Sequence, residues 1–134
     1  MAKKTYHGSC HCKSVTFEVD LDLEKGTGRC NCTYCSKVRN WSVGVTPADF
    51  RLVTGADNLG DYTRSPAGHH CFCKTCGVGT HTWGNVPEIG GDYVSVRVAT
   101  IDDTSPDELL TGPLRYMNGR NNDWFHEPAE TRHL

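Results

Sequence analysis

Apolar and polar residues alternate with period two along much of the chain, the signature of half-buried β-strands. In Val15-Thr16-Phe17-Glu18-Val19 the alternation is strict, and Val15, Phe17 and Val19 take the buried face. Trp41 to Thr46 and Phe50 to Val53 read as further strands, separated by a turn at Pro47-Ala48-Asp49. Gly55-Ala56-Asp57-Asn58 turns the chain into a strand from Leu59 to Thr63. Ser65-Pro66-Ala67-Gly68 then leads into one that delivers His70 to Cys73. Thr80 to Trp83 and Tyr93 to Thr100 complete the set, the latter with Val94, Val96 and Val98 on one face, and Gly84 to Gly91 reads as a loop. One helical turn is signalled, at Ser105-Pro106-Asp107-Glu108-Leu109-Leu110: serine at the N-cap, proline at N1, acids in the first turn, and Gly112 as a stop. The expected architecture is a mainly β single domain over residues 1–134, built from small sheets of short antiparallel strands. Its core should fall at about residues 6–125.

Composition narrows the picture. Hydrophobic residues make up 37% of the chain and Gly is plentiful, so the expected core is thin and metal is a natural source of added stability. The net charge of −2 and the absence of a basic block remove the electrostatic footprint of a nucleic-acid binder. No apolar run is long enough to span a membrane. Met1-Ala2-Lys3-Lys4 leads into polar sequence rather than the apolar stretch of a secretory leader, and the expected compartment is the reducing cytoplasm.

The eight cysteines change the picture most, because all fall in three clusters: Cys10-His11-Cys12, Cys30-Asn31-Cys32-Thr33-Tyr34-Cys35, and Cys71-Phe72-Cys73-Lys74-Thr75-Cys76. C-x-C and C-x-x-C spacing aims neighbouring sulfurs at one point, as a soft tetrahedral metal requires, whereas C-x-C pairs make poor disulfides. Two metal sites can be supplied. In one division Cys10 and Cys12 join Cys73 and Cys76 in a closed site, and Cys30, Cys32 and Cys35 form a triplet with an open fourth position. In the other, Cys10 and Cys12 join Cys32 and Cys35, leaving Cys30 with the third cluster. The first is preferred: three thiolates within six residues can wrap a metal unaided. Gly77 also permits the positive-φ turn in which backbone N–H groups reach the sulfurs of the knuckle. Cys71 shares a strand face with Cys73 and can approach either site. Zinc suits the donor set; a rubredoxin-like iron centre would need two C-x-x-C knuckles.

At these residues the chain resembles the glutathione-dependent formaldehyde-activating (GFA) family, which includes the centromere protein V domain and shares the Mss4-like fold. The matching stretches are Gly8 to Phe17, Cys30 to Cys35 and Phe72 to Gly77, and the segment Tyr116 to Trp124 is similar to the ending of bacterial members. The resemblance implies a zinc-stabilised β fold with one closed zinc at Cys10, Cys12, Cys73 and Cys76. It also implies a reactive zinc at Cys30, Cys32 and Cys35, from which Cys32 is displaced when glutathione arrives. The implied activity is that of a carbon–sulfur lyase joining glutathione to formaldehyde as S-hydroxymethylglutathione. Two departures stand out: a cysteine at position 71, and Ser36-Lys37 where many members place arginine straight after the triplet.

The remaining candidates have quieter readings. His69, His70 and His81 lie near the third cluster and are expected to be surface or neighbouring residues rather than ligands, while His11 points away from the metal. Core packing is expected for Trp41, Trp83 and Trp124. Lys37, Arg39 and Arg97 could hold the carboxylates of glutathione, but solvated surface charge is the expectation. No Ser/His/Asp, phosphate-loop or H-E-x-x-H signature is present, so catalysis must come from metal and thiolate. Three readings follow: a zinc carbon–sulfur lyase acting on a small thiol and an aldehyde, a non-catalytic zinc module closed by Cys71, and a redox-responsive protein that ejects zinc.

Overall fold

The computed structural model describes residues 3–134. Among the described residues, ten strands form two sheets. The smaller sheet has the order β1 (Lys4–Ser9), β2 (Thr16–Leu21), β5 (Phe50–Thr54), all antiparallel. The larger contains β3 (Thr27–Cys30), β4 (Trp41–Val45), β6 (Leu59–Ser65), β7 (Gly68–Cys73), β8 (Gly79–Val86), β9 (Gly91–Arg97) and β10 (Leu114–Met117). Its order is β10-β3-β4-β9-β8-β7-β6, and its pairs are antiparallel except for β10, which runs parallel to β3. Two short helices complete the chain, α1 (Thr33–Val38) and α2 (Pro106–Leu109).

The core lies where the sheets face each other. Tyr6, Phe17, Val19 and Leu21 from the smaller sheet pack with Val94 and Val96 of β9, and Val43 and Val45 close against them. As the alternation requires, Val15, Phe17 and Val19 are essentially inaccessible. Val94, Val96 and Val98 are likewise buried, although β9 ends at Arg97 and Val98 begins a 3-10 turn. Ser105 caps α2 through its hydroxyl, which accepts from the Glu108 N–H.

Four elements carry no clear period-two signal and emerge only here: β1, β3, α1 and β10. Three of them are too short, or too rich in Gly, Cys and Thr, for periodicity to register. The expected loop at Gly84 to Gly91 is corrected too. β8 continues to Val86, with Gly84, Asn85 and Val86 paired to β9, and only Pro87–Ile89 turns. Gly84 persists in the strand because the Ala67 carbonyl lies 2.4 Å from where a Cβ would sit, leaving room for no larger residue.

Candidate metal centres

The first cluster leaves the end of β1 and turns back toward β2, while the third occupies the end of β7 and the turn after it. The two turns are built alike. Gly77 donates its N–H to Cys73 O at 2.8 Å with φ +78, and Lys13 donates to Cys10 O at 3.2 Å with φ 68. Both left-handed residues fold the chain so that backbone amides face sulfur. Val15 N–H lies 3.4 Å from Cys10 Sγ, and the Thr75 and Cys76 N–H groups lie 3.3 and 3.4 Å from Cys73 Sγ. The sulfurs of Cys10, Cys12, Cys73 and Cys76 all come within 4.8 Å of one another. Cys10 and Cys12 are 3.7 Å apart, and Cys12 and Cys73 3.6 Å. A tetrahedral metal with bonds of about 2.3 Å to sulfur sets its ligands about 3.8 Å apart, so this quartet fits such an ion. Hydrogen bonding by the Ser14 hydroxyl and by the Cys76 and Thr75 amides holds the Cys73 thiol down to about 5, the charge state a metal needs.

The second cluster makes its own centre. Cys30 ends β3, and Cys32 caps α1, its sulfur accepting from Cys35 N–H at 3.3 Å. Cys32 N–H in turn lies 3.4 Å from Cys30 Sγ, and the Asn40 amide 3.5 Å from Cys35 Sγ. The sulfurs of Cys30, Cys32 and Cys35 converge within 4.8 Å. Contacts from the Cys30 and Cys35 thiols, with backbone N–H groups behind them, hold Cys32 far below the usual thiol range. The same coupling pushes Cys30 and Cys35 up.

Cys71 belongs to neither group. Neighbouring residues of β7 point to opposite sides, and His70 faces α1, its ring stacked on Tyr34 at 3.6 Å. Cys71 consequently faces away from the triplet, buried, with its sulfur 3.8 Å from the His69 carbonyl. Burial lifts this thiol to about 11, so it stays neutral. All eight cysteines are free.

The histidines stand apart from both centres: His69 stacks on Trp83 at 3.8 Å and pairs with Asp61, His81 packs on Phe50, and His11 is exposed. Two expectations are corrected. Trp83 is 45% exposed rather than core, because its strand position carries it to the sheet surface against His69. Arg97 is not solvated surface charge: at 9% exposure it lies beneath Tyr34, donating to Tyr34 Oη and Thr82 Oγ1, both at 3.2 Å. Lys37 and Arg39 are exposed as expected.

A cover over the triplet was not derivable from spacing. Asn31, between two cysteines, donates to Asn118 Oδ1 at 2.9 Å and accepts from Arg120 N–H at 3.0 Å. This clip draws the tail onto the cluster, where Gly119 passes so close that a Cβ there would sit 2.6 Å from Cys30 Sγ. The only sequence signal was the Tyr116 to Trp124 resemblance.

The sequence profile described as glutathione-dependent formaldehyde-activating enzyme matches residues 5–113, which include every cysteine. The chain belongs to this family. A crystal structure of a Rhodobacter sphaeroides protein, solved as a structural genomics target, is similar at 30% identity and a TM-score of 0.68. The match covers 83% of this chain and 99% of that one. Set against the family match, β10 and the clip on Asn31 lie beyond residue 113, so the cover of the triplet comes from outside the matched segment.

Proposed function

We propose that this protein is a zinc-dependent carbon–sulfur lyase working in a reducing, cytoplasmic compartment. It would form or cleave adducts between glutathione, or a similar small thiol, and formaldehyde or another small aldehyde, within a single domain of residues 1–134. Cys10, Cys12, Cys73 and Cys76 hold a closed zinc that ties the two sheets; Cys30, Cys32 and Cys35 hold the reactive one. The observation that carries this reading is the face taken by Cys71, which leaves the triplet with three sulfurs and no fourth among the described residues. Family membership supports the same chemistry at the level of the family.

When bound, zinc supplies a Lewis acid that stabilises an incoming thiol as thiolate near neutral pH. The chain's own residues prepare that position. Backbone N–H groups of Cys32 and Cys35 and the Asn40 amide offset sulfur charge. Cys32 would be the ligand that gives way to an incoming thiol, because its sulfur, as the cap of α1, keeps the Cys35 N–H as a partner when off the metal. In the forward direction the thiol sulfur bonds to the aldehyde carbon, the carbonyl π bond breaks, and the thiol proton ends on the new hydroxyl. The reverse reaction returns it.

Exchange spectroscopy by NMR on mixtures of formaldehyde and glutathione tests the activity. The protein is expected to accelerate interconversion of free and adducted formaldehyde, and Cys32→Ala to abolish the acceleration while total zinc drops from two per chain to one. Interconversion no faster than the spontaneous rate would reject formaldehyde as substrate.

A further inference from the structure

On the sheet face that carries Cys30, the register sets Gly44, Ser95, Thr82, His70 and Tyr62 directly opposite one another across β4, β9, β8, β7 and β6. The first two are small, and nothing lies within 4 Å of where a Gly44 Cβ would stand, so the face is open there. The His70 ring lies on the Tyr34 ring, with 3.6 Å between centroids and 11° between planes. Tyr34 immediately precedes Cys35 on α1, so this stack holds the imidazole against the segment that carries the triplet. The charge of Cys32 acts on it there. His70 is no ligand, since it belongs to neither cysteine group. Its second ring nitrogen, Nε2, has no partner among the described residues.

Arg97 holds this ring through both of its partners. One guanidinium nitrogen donates to Tyr34 Oη, under whose ring His70 is stacked, and the other to Thr82 Oγ1. Thr82 Oγ1 in turn lies 3.0 Å from His70 Nδ1. A guanidinium can only donate, so Thr82 accepts from it and keeps its own hydroxyl proton to give. That hydroxyl is buried, and the acceptor within its reach is Nδ1. The proton of a neutral His70 therefore sits on Nε2, the nitrogen left without a partner. Burial, then the charges of Arg97 and His69, lower the His70 pKa against the opposing charges of Cys32 and Asp61, so the ring is neutral at neutral pH. Arg97, buried with no carboxylate at ion-pair distance among the described residues, thus orients a neighbour and keeps it uncharged.

We infer that His70, through Nε2–H, is the hydrogen-bond donor to the aldehyde oxygen, with Thr82 and Arg97 as the residues that position it. As a catalytic role it rests on the lyase reading above. When the thiolate sulfur bonds to the carbonyl carbon, the π pair moves onto oxygen. A fixed N–H aimed at that oxygen stabilises the charge that develops there, and a neutral imidazole does so without losing its own proton. The oxygen then takes from solvent the proton that the thiol gave up, and His70 ends as it began. In the reverse direction the same N–H bond holds the alkoxide from which the carbon–sulfur bond breaks.

Long-range ¹H–¹⁵N NMR of the zinc-loaded full chain reads the tautomer without any turnover. Near neutral pH it should show His70 uncharged with its proton on Nε2, and Thr82→Val should mix the two tautomers. His70→Phe keeps the stack on Tyr34 and removes the donor. It should lower kcat for exchange between formaldehyde and glutathione at least about tenfold, with KM for glutathione within about twofold and zinc content unchanged. His70→Gln offers an amide N–H in the place of Nε2–H and should keep kcat within about threefold of the wild type. If His70→Phe loses zinc or melts early, Thr82→Val takes its place, with kcat expected to fall at least about threefold as the tautomer is released. A proton on Nδ1, an unchanged kcat in the folded variant, a loss confined to KM, or equal losses in His70→Phe and His70→Gln would overturn the assignment while the lyase reading stood. A wild-type protein that does not accelerate the exchange would instead reject the lyase reading, and the donor role with it.

Discussion

Cys71 and Cys32 are both partly or wholly buried cysteines within C-x-C motifs, yet they differ in what surrounds their sulfur. Cys32 receives a backbone N–H and sits among two other thiols, so its thiolate is stabilised. Cys71 has a weak contact to a carbonyl oxygen, and burial, with the negative charge of Asp61 behind it, outweighs a hydrogen bond from Trp83 and raises its pKa. Replacing Cys71 with alanine should therefore leave two zincs per chain and cost only about 1 kcal/mol, the usual consequence of trimming one buried side chain. Metal analysis together with denaturant midpoints checks this. Loss of one zinc would place the Cys71 sulfur on the metal and return the closed, non-catalytic module to first place.

At the scale of elements, the triplet is built locally from the end of β3 and the start of α1, and the turn after β10 meets it from far along the chain. The parallel pairing of β10 with β3 aligns Met117 with Cys30, and the next residues then cross the cluster. Only glycine allows that crossing, since a Cβ at Gly119 would stand 2.6 Å from Cys30 Sγ and 2.9 Å from the Trp124 ring. Gly119→Ala must push either the sulfur or the tail aside. Its expected signature is selective: a chromogenic chelator should strip the triplet zinc at least about tenfold more readily, a shift of about 1.4 kcal/mol, while the four-cysteine zinc is unaffected. Equal loss from both centres would mean that the tail braces the whole sheet rather than the triplet.

Taken whole, the molecule is two sheets with a four-cysteine group that could hold a metal at one end of the interface. The quartet joins the turn before β2 to the turn after β7, and Cys10 and Cys73 are buried with Val15 in a small core of their own. Structural zinc of this kind contributes about 10 kcal/mol or more of apparent stability, comparable with the whole margin of a small domain. Cys76→Ala, or exhaustive chelation, should thus unfold the protein at ambient temperature. Cys35→Ala should leave a folded chain with a moderately lower Tm, as differential scanning calorimetry would show. The sheet interface also sets an acid limit. His81, inside it against Phe50, has its pKa lowered to about 4 by burial and then by the positive charge of Arg97. Protonation is easier in the unfolded chain, so the contribution is complete above about pH 6.5 and is lost as pH falls through 4, about 3 kcal/mol in all. His81→Gln should flatten the stability profile over that window, and an unchanged slope would locate the acid sensitivity elsewhere.

Local spacing settled a good part of this protein in advance. Alternation at Val15, Phe17 and Val19 identified a strand and its buried face, because successive side chains of an extended backbone must point to opposite sides. Clustered cysteines pointed to sulfur groups that could hold a metal, because sulfurs two or three residues apart converge wherever the fold puts them. Their division, the face of Cys71, the cover by Gly119 and the burial of Arg97 lay beyond that reach. Each depends on which distant strands become neighbours and in what register, an outcome of many weak contacts summed over the two sheets. So the sequence by itself specified soft-metal sites in a β-rich frame. Only the tertiary structure decided that one quartet closes, that one triplet stays at three sulfurs, and that Arg97 lies buried beneath Tyr34.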